Sequence, residues 1–94
     1  MIAWKPSEIL KYAQGRLIGA DRDFTSVSTD TRTIKPGALF VALTGPSFDG
    51  HDFVTTAAQN GAAAALVSKQ LPVDIVQIVV ADPLAALSTF AREW

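Results

Sequence analysis

Residues Ala38 to Leu43 form an unbroken apolar run with backbone breakers at both ends, Lys35-Pro36-Gly37 before it and Thr44-Gly45-Pro46 after it. A short apolar run with such borders reads as a strand. No polar residue alternates through it, so both of its faces need cover, as in a sheet with helices on each side. The chain downstream supplies that cover. After the loop Gly45-Pro46-Ser47-Phe48-Asp49-Gly50, a helix is expected from about His51 to Asn60, with Phe53, Ala57 and Ala58 inward and Gly61 in the left-handed C-terminal position. Ala62 to Ser68 is a second apolar run, which makes 38–68 a strand-loop-helix-strand unit of 31 residues, the length of a parallel crossover.

Flanking segments extend this nucleus. Pro6 can open a helix because its missing N–H would have no partner there, with Ile9, Leu10 and Ala13 as its apolar stripe and Gly15 closing it. Leu17 and Ile18 suggest a short extended piece leading into Phe24 to Ser28. Ile75 to Val80 reads as a further strand, followed by the N-cap and first-turn pair Asp82-Pro83 and a helix carrying Leu84, Leu87 and Phe90 or Ala91. The six-residue link 69–74 allows either a parallel or an antiparallel return. Trp4 and Trp94, near the termini, read as packing residues or as a surface that another domain would cover. The expected fold is α/β, a small sheet of four to five mostly parallel or mixed strands with helices on both faces, in a single domain over residues 1–94.

Composition narrows the function. The chain is 49% hydrophobic and 18% charged, as in globular proteins, and a net charge of -1 without a basic stripe argues against nucleic acid as a partner. With no cysteine and one histidine, neither a disulfide framework nor a thiolate metal site is expected. No signal-peptide pattern and no apolar stretch of about 18 residues is present, so a cytoplasmic location without a membrane span is expected.

Two polar segments border the expected strands: Ser28-Thr29-Asp30-Thr31-Arg32 and the loop Gly45 to Gly50. Ligands of open α/β sheets bind outside the carboxyl ends of strands, where that loop leaves the sheet. Its glycines let peptide N–H groups approach a ligand, and the free N–H groups of a helix starting near His51 suit an anion such as a diphosphate. Ser47 offers a hydroxyl and Phe48 a ring for a base or sugar. Thr29 and Thr31 offer hydrogen bonds, and Arg32 offers a bidentate phosphate contact. Plainer readings stand beside these. The loop fits an ordinary turn, Asp30 and Asp49 fit caps with Arg32 paired to either, His51 fits a capping or surface position, and Phe48 fits the core. No Gly-x-x-x-x-Gly-Lys-Ser/Thr loop, Gly-x-Ser-x-Gly elbow or His-Glu-x-x-His motif occurs.

The ordered string Val27-Ser28-Thr29-Asp30-Thr31-Arg32-Thr33-Ile34-Lys35-Pro36-Gly37-Ala38-Leu39-Phe40-Val41-Ala42-Leu43, continued by Gly45 and Phe48-Asp49-Gly50-His51-Asp52-Phe53, resembles the first domain of the Mur ligases. The resemblance implies an ATP-dependent ligase of peptidoglycan precursor synthesis whose first domain holds the uridine diphosphate end of a UDP-N-acetylmuramoyl-peptide. It also implies central and C-terminal domains, absent from this chain, the central one binding ATP and Mg2+. By matching position, the nucleotide contacts would be Thr29, Asp30, Thr31, Arg32, Gly45, Pro46, Ser47, Phe48 and Asp49, with no catalytic or metal-binding residue among them. Within the family, the opening helix, the Ser-Thr-Asp-Thr-Arg motif and the short 69–74 segment look more like the branch adding D-alanyl-D-alanine than the branch adding the third peptide residue. A free-standing nucleotide-binding or interaction module is the alternative from another class.

Overall fold

The computed structural model describes residues 3–93, so Trp94 lies outside the described residues. Its centre is β3 (Ala38–Val41), buried along its whole length. β3 pairs in parallel with β2 (Ser26–Ser28) on one side and with β6 (Ala64–Val67) on the other. β6 in turn pairs in parallel with β7 (Val76–Val80), and the edge strand β1 (Gly15–Ile18) runs antiparallel to β7. The sheet order is therefore β1-β7-β6-β3-β2. This is the mixed, mostly parallel sheet expected, with the open question at 69–74 resolved as a parallel return.

Both faces are covered. Leu39, Val41, Leu66, Ile78 and Val80 point to one side, where Ile9 of α1 (Pro6–Ile9) and Ala86 and Phe90 of α3 (Pro83–Glu93) meet them. Phe40, Ala65 and Val67 point to the other, against Val54 and Ala57 of α2 (Val54–Gln59). Each fully buried Leu, Val or Phe contributes about 1.5–3 kcal/mol relative to exposure, which is what the absence of alternation in β3 and β6 records. Trp4 packs as expected, pairing its backbone with Phe24 in both directions at 2.9 and 2.8 Å and its ring with Phe24 and Phe90.

The link between β6 and β7 contains no helix. Buried Gln77 holds it instead: its Oε1 accepts from the Leu71 N–H at 2.8 Å, and its Nε2 donates to the Leu71 and Val73 carbonyls at 2.9 and 3.3 Å. The side-chain amide satisfies the returning backbone that would otherwise lack partners.

Helix ends follow their chemistry where the sequence is explicit. Gly61 has φ +94°, with Ala62 N–H on the Ala57 carbonyl and Gly61 N–H on that of Ala58, the paired bonds of a Schellman motif. Asp82 Oδ1 accepts from the Ala85 N–H at 3.1 Å and opens α3 behind Pro83.

Four expectations are corrected. α1 stops at Ile9, because Leu10, Lys11 and Tyr12 bond three residues back and tighten into turns; Leu10 and Ala13 still pack on the core. Gly15 does not close that helix but pairs with Val80 in β1, where a Cβ would strike the Val79 carbonyl oxygen. The loop Gly45 to Gly50 is largely a hairpin, β4 (Thr44–Gly45) against β5 (Phe48–Asp49). On α3, Leu84 and Ala91 face solvent, and the inner face is Pro83, Ala86 and Phe90 with Leu87.

Candidate binding cleft

A cleft of about 420 Å³ opens between the segment after β2 and the β4–β5 hairpin, lined by Thr29, Asp30, Thr31, Arg32, Phe40, Phe48 and Phe53. That lies within the range of small-molecule sites, about 300–1,000 Å³. The two polar segments singled out in the sequence thus meet at one place, over a floor formed by the buried Phe40 ring.

The wall from 28 to 32 is organised by its own side chains. Ser28 Oγ accepts from the Asp30 N–H at 3.1 Å and donates to the Asp30 carbonyl at 2.9 Å. The Asp30 carboxylate accepts from the Arg32 N–H at 2.9 Å and from the guanidinium at 3.1 and 3.2 Å through Nε and 2.8 Å through Nη2. The Arg32 side-chain bonds, then its backbone bond, lower the Asp30 carboxyl to about 2. Asn60 Nδ2 donates to the Thr31 carbonyl at 3.3 Å and ties this wall to the end of α2. Asp30 and Arg32 are thus a turn and an ion pair as well as cleft residues. Since one fork of Arg32 already faces Asp30, a phosphate must use its remaining N–H groups or displace that partner.

The opposite wall is aromatic. Phe48 and Phe53 stack with ring centroids 5.5 Å apart and planes 22° from parallel, 46% and 39% exposed. Phe48 is therefore not a core residue. Phe53 was expected inside a helix and was missed as a cleft residue. Gly50–Phe53 is a 3-10 turn, and its tighter winding brings His51, Val54 and Ala57 into line on the buried side and turns Phe53 out. An exposed aromatic five residues from another on a loop was the available signal.

The remaining candidates sit elsewhere. Gly45, Pro46 and Ser47 are exposed at the outer end of the hairpin, beyond the lining of the cleft, and a Cβ at Gly45 would meet nothing within 4 Å. Asp49 turns away from the cleft towards His51. Its Oδ1 accepts from the His51 N–H at 3.0 Å and lies 2.7 Å from His51 Nδ1, and the Thr44 hydroxyl donates to it at 3.3 Å. The His51 backbone bond, followed by the ring bond, lowers the Asp49 carboxyl from its ordinary value. The N–H groups expected to receive an anion are occupied, that of His51 by Asp49 and that of Gly50 by the Leu43 carbonyl at 2.6 Å. A diphosphate bound through either of these two groups would have to displace its present partner.

His51 is buried rather than on the surface. Its Nε2 accepts from the Ser68 N–H at 3.0 Å and lies 3.1 Å from Ser68 Oγ, which places the ring proton on Nδ1, facing Asp49. Carboxylate, imidazole and hydroxyl thus line up in the order of a hydrolase triad. The Ser68 backbone N–H, however, already competes for the single Nε2 lone pair a general base would need. The arrangement works as a structural bridge. Among the described residues no group of three His, Cys, Asp or Glu is placed to hold a metal ion, and no helix is long and apolar enough to cross a membrane.

Comparison with known proteins places this architecture. Residues 23–93 match the family described as Mur ligase family, catalytic domain. The chain is 44% identical over 91 residues to the UDP-N-acetylmuramoyl-tripeptide--D-alanyl-D-alanine ligase of Escherichia coli, covering 97% of this chain and 20% of that protein. It is 45% identical over 71 residues to the UDP-N-acetylmuramoyl-L-alanyl-D-glutamate--2,6-diaminopimelate ligase of Bacillus velezensis, covering 76% of this chain and 14% of that protein. A crystal structure of MurF from Acinetobacter baumannii superposes with a TM-score of 0.87 at 30% identity, over 99% of this chain and 22% of that one. The chain spans about a fifth or less of the length of these relatives.

Proposed function

The chain belongs to the Mur ligase family, and we propose that its cleft holds the uridine end of a UDP-N-acetylmuramoyl-peptide for an ATP-dependent ligase of peptidoglycan precursor synthesis. The observation that carries this reading is the pairing of walls: hydroxyls and a turn backbone at Thr29–Arg32 face a stacked Phe48–Phe53 pair across a volume suited to a nucleoside. A base presents an apolar face to the rings and a polar edge to Thr29 and Thr31. Gly45, Pro46, Ser47 and Asp49 belong to the second rank of contacts, reached by the parts of the ligand that extend past the hairpin. The donor set does not fit ATP and Mg2+: the sequence has no Gly-x-x-x-x-Gly-Lys-Ser/Thr loop and the described residues offer no metal cluster. We assign those cofactors, and bond formation, to central and C-terminal domains of a longer cytoplasmic protein. Gripping an unreacting handle lets such an enzyme spend binding energy on orienting a distant carboxylate.

The D-alanyl-D-alanine-adding branch is favoured because the match to its Escherichia coli member runs nearly the whole chain, whereas that to the Bacillus velezensis diaminopimelate ligase covers 76%. The expected dissociation constant of the 94-residue chain for UDP-N-acetylmuramoyl-tripeptide is roughly 10 μM to 1 mM, about -7 to -4 kcal/mol. An NMR titration tests this. Ligand-dependent shifts confined to residues 28–32, 48 and 53 and their neighbours support the assignment, and none at millimolar ligand refutes it.

A further inference from the structure

In the sequence between the two cleft residues Phe48 and Phe53, the fold buries one side chain that does not line the cleft, His51. We propose that His51 is a positioning residue, setting the Phe48–Phe53 wall from behind by joining Asp49 of the hairpin to the end of β6; this rests on the cleft reading above. Phe48 lies three residues before His51 and Phe53 two after it. Both rings line the cleft, while the imidazole of the residue between them in the sequence is buried, with 8% of its surface exposed. His51 binds at both ring nitrogens: Nδ1 with Asp49 Oδ1 at 2.7 Å and Nε2 with the Ser68 N–H at 3.0 Å.

These bonds anchor the hairpin where it has few other restraints. Pro46 and Ser47 are exposed, and a Cβ at Gly45 would meet open space. On the inner side, Gly50 presses on the end of β3: a Cβ there would fall 2.7 Å from the Leu43 N and 2.9 Å from the Ala42 Cα. His51 therefore converts the fixed position of β6 into a fixed spacing of two rings, through Asp49 on one side of it and the 3-10 turn on the other. Without the imidazole the Asp49 carboxylate keeps the His51 backbone N–H and the Thr44 hydroxyl but loses its link to the sheet. The rings would then lose their common reference although no atom touching the ligand had been removed.

The test uses the 94-residue chain with uridine 5′-diphosphate as probe. His51→Phe keeps a planar ring and deletes both polar contacts. The expected result is a folded protein in which ring-proton contacts between Phe48 and Phe53 weaken, even without ligand. Its affinity for the probe should fall about three- to tenfold, the size of one or two neutral hydrogen bonds. His51→Gln restores an acceptor near the former Nε2 position and is expected to recover most of both effects. Should His51→Phe not fold, His51→Asn keeps a group facing Asp49, drops the acceptor facing Ser68 and carries the same readout. A lower melting temperature with unmoved rings and unchanged affinity overturns the proposal and leaves His51 a core residue only. Failure of the wild type to bind the probe overturns the cleft assignment instead, while the ring contacts of the free protein still decide the role of His51.

Discussion

Replacing Gln77 by Met removes the amide that holds the β6–β7 connection while keeping a side chain of similar length in the core. Two bonds to Leu71, at 2.8 and 2.9 Å, and a longer one to Val73, at 3.3 Å, are lost together. Each neutral hydrogen bond is worth a net of about 0.5–1.5 kcal/mol, and a buried partner left unpaired costs more. Leu71 and Val73 are only half-buried, so water recovers part of the loss, and the thioether gains contacts that Gln lacked. The balance is a destabilisation of about 2 kcal/mol, which for a domain of this size lowers Tm by roughly 8–16 °C. Thermal and urea unfolding followed by circular dichroism measure the change, and hydrogen exchange at the Leu71 amide reports the local opening. A Tm within about 2 °C of wild type, or undiminished protection at Leu71, would show that the short return is held by its apolar contacts and that the amide clamp is incidental.

The ion pair in the cleft wall gives a pH prediction. Asp30 titrates below its unfolded value, so its pairing contribution is complete above the ordinary carboxylate range and is lost as pH falls towards about 2. In Arg32→Gln the Asp30 carboxyl should titrate back towards the ordinary 3.8, read by carbon NMR; a titration point still near 2 would contradict the assignment to Arg32. Phe48→Ala removes one stacking surface and is expected to weaken uridine diphosphate binding by about 1–3 kcal/mol without lowering Tm appreciably. Equal affinity by calorimetry would place the base elsewhere. Thr31→Val should cost about 0.5–1.5 kcal/mol of the same binding energy, with Ser47→Ala costing less because Ser47 stands outside the cleft lining; the reverse order would move the ligand to the outer end of the hairpin. Asp82→Ala removes the N-cap of α3 and should lower stability by about 1 kcal/mol with nucleotide affinity unchanged.

What the chain makes legible depends on whether the deciding interaction is local. The start of β3, the cap at Asp82 and the left-handed Gly61 are set by residues within a few positions of themselves and appear where the sequence indicates, whereas β3 ends at Val41, two residues before the apolar run does. The apolar stretches 38–43 and 62–67 also announce burial on both faces. Direction is another matter, because the parallel return of β7 is stabilised by a Gln77 amide reaching back six residues, and nothing in the spacing reveals that bond. The helical stripe read through Phe53 failed for a related reason. The pattern counts apolar residues at 3.6 per turn, but the capped 3-10 turn winds at about three, and that difference carries Phe53 from the core to the cleft wall.

The same contrast explains why the two polar segments are visible in the sequence while the pairing of their charges is not. Arg32 and the N–H groups near His51 suit a diphosphate when each is considered alone. In the folded chain Asp30 takes a fork of the guanidinium, and Asp49 takes the His51 N–H, so each positive feature already has a carboxylate of this chain beside it. Adding a phosphate to either place brings a like charge towards a carboxylate, an unfavourable contact unless the partner moves. The uncommitted features of the cleft are the Phe48 and Phe53 faces and the Thr29 and Thr31 hydroxyls, which favour the nucleoside part of the ligand over its phosphates. On the proposed reading, this cleft contributes shape and hydrogen bonding to recognition, and the ligand's negative charge is neutralised by groups beyond it.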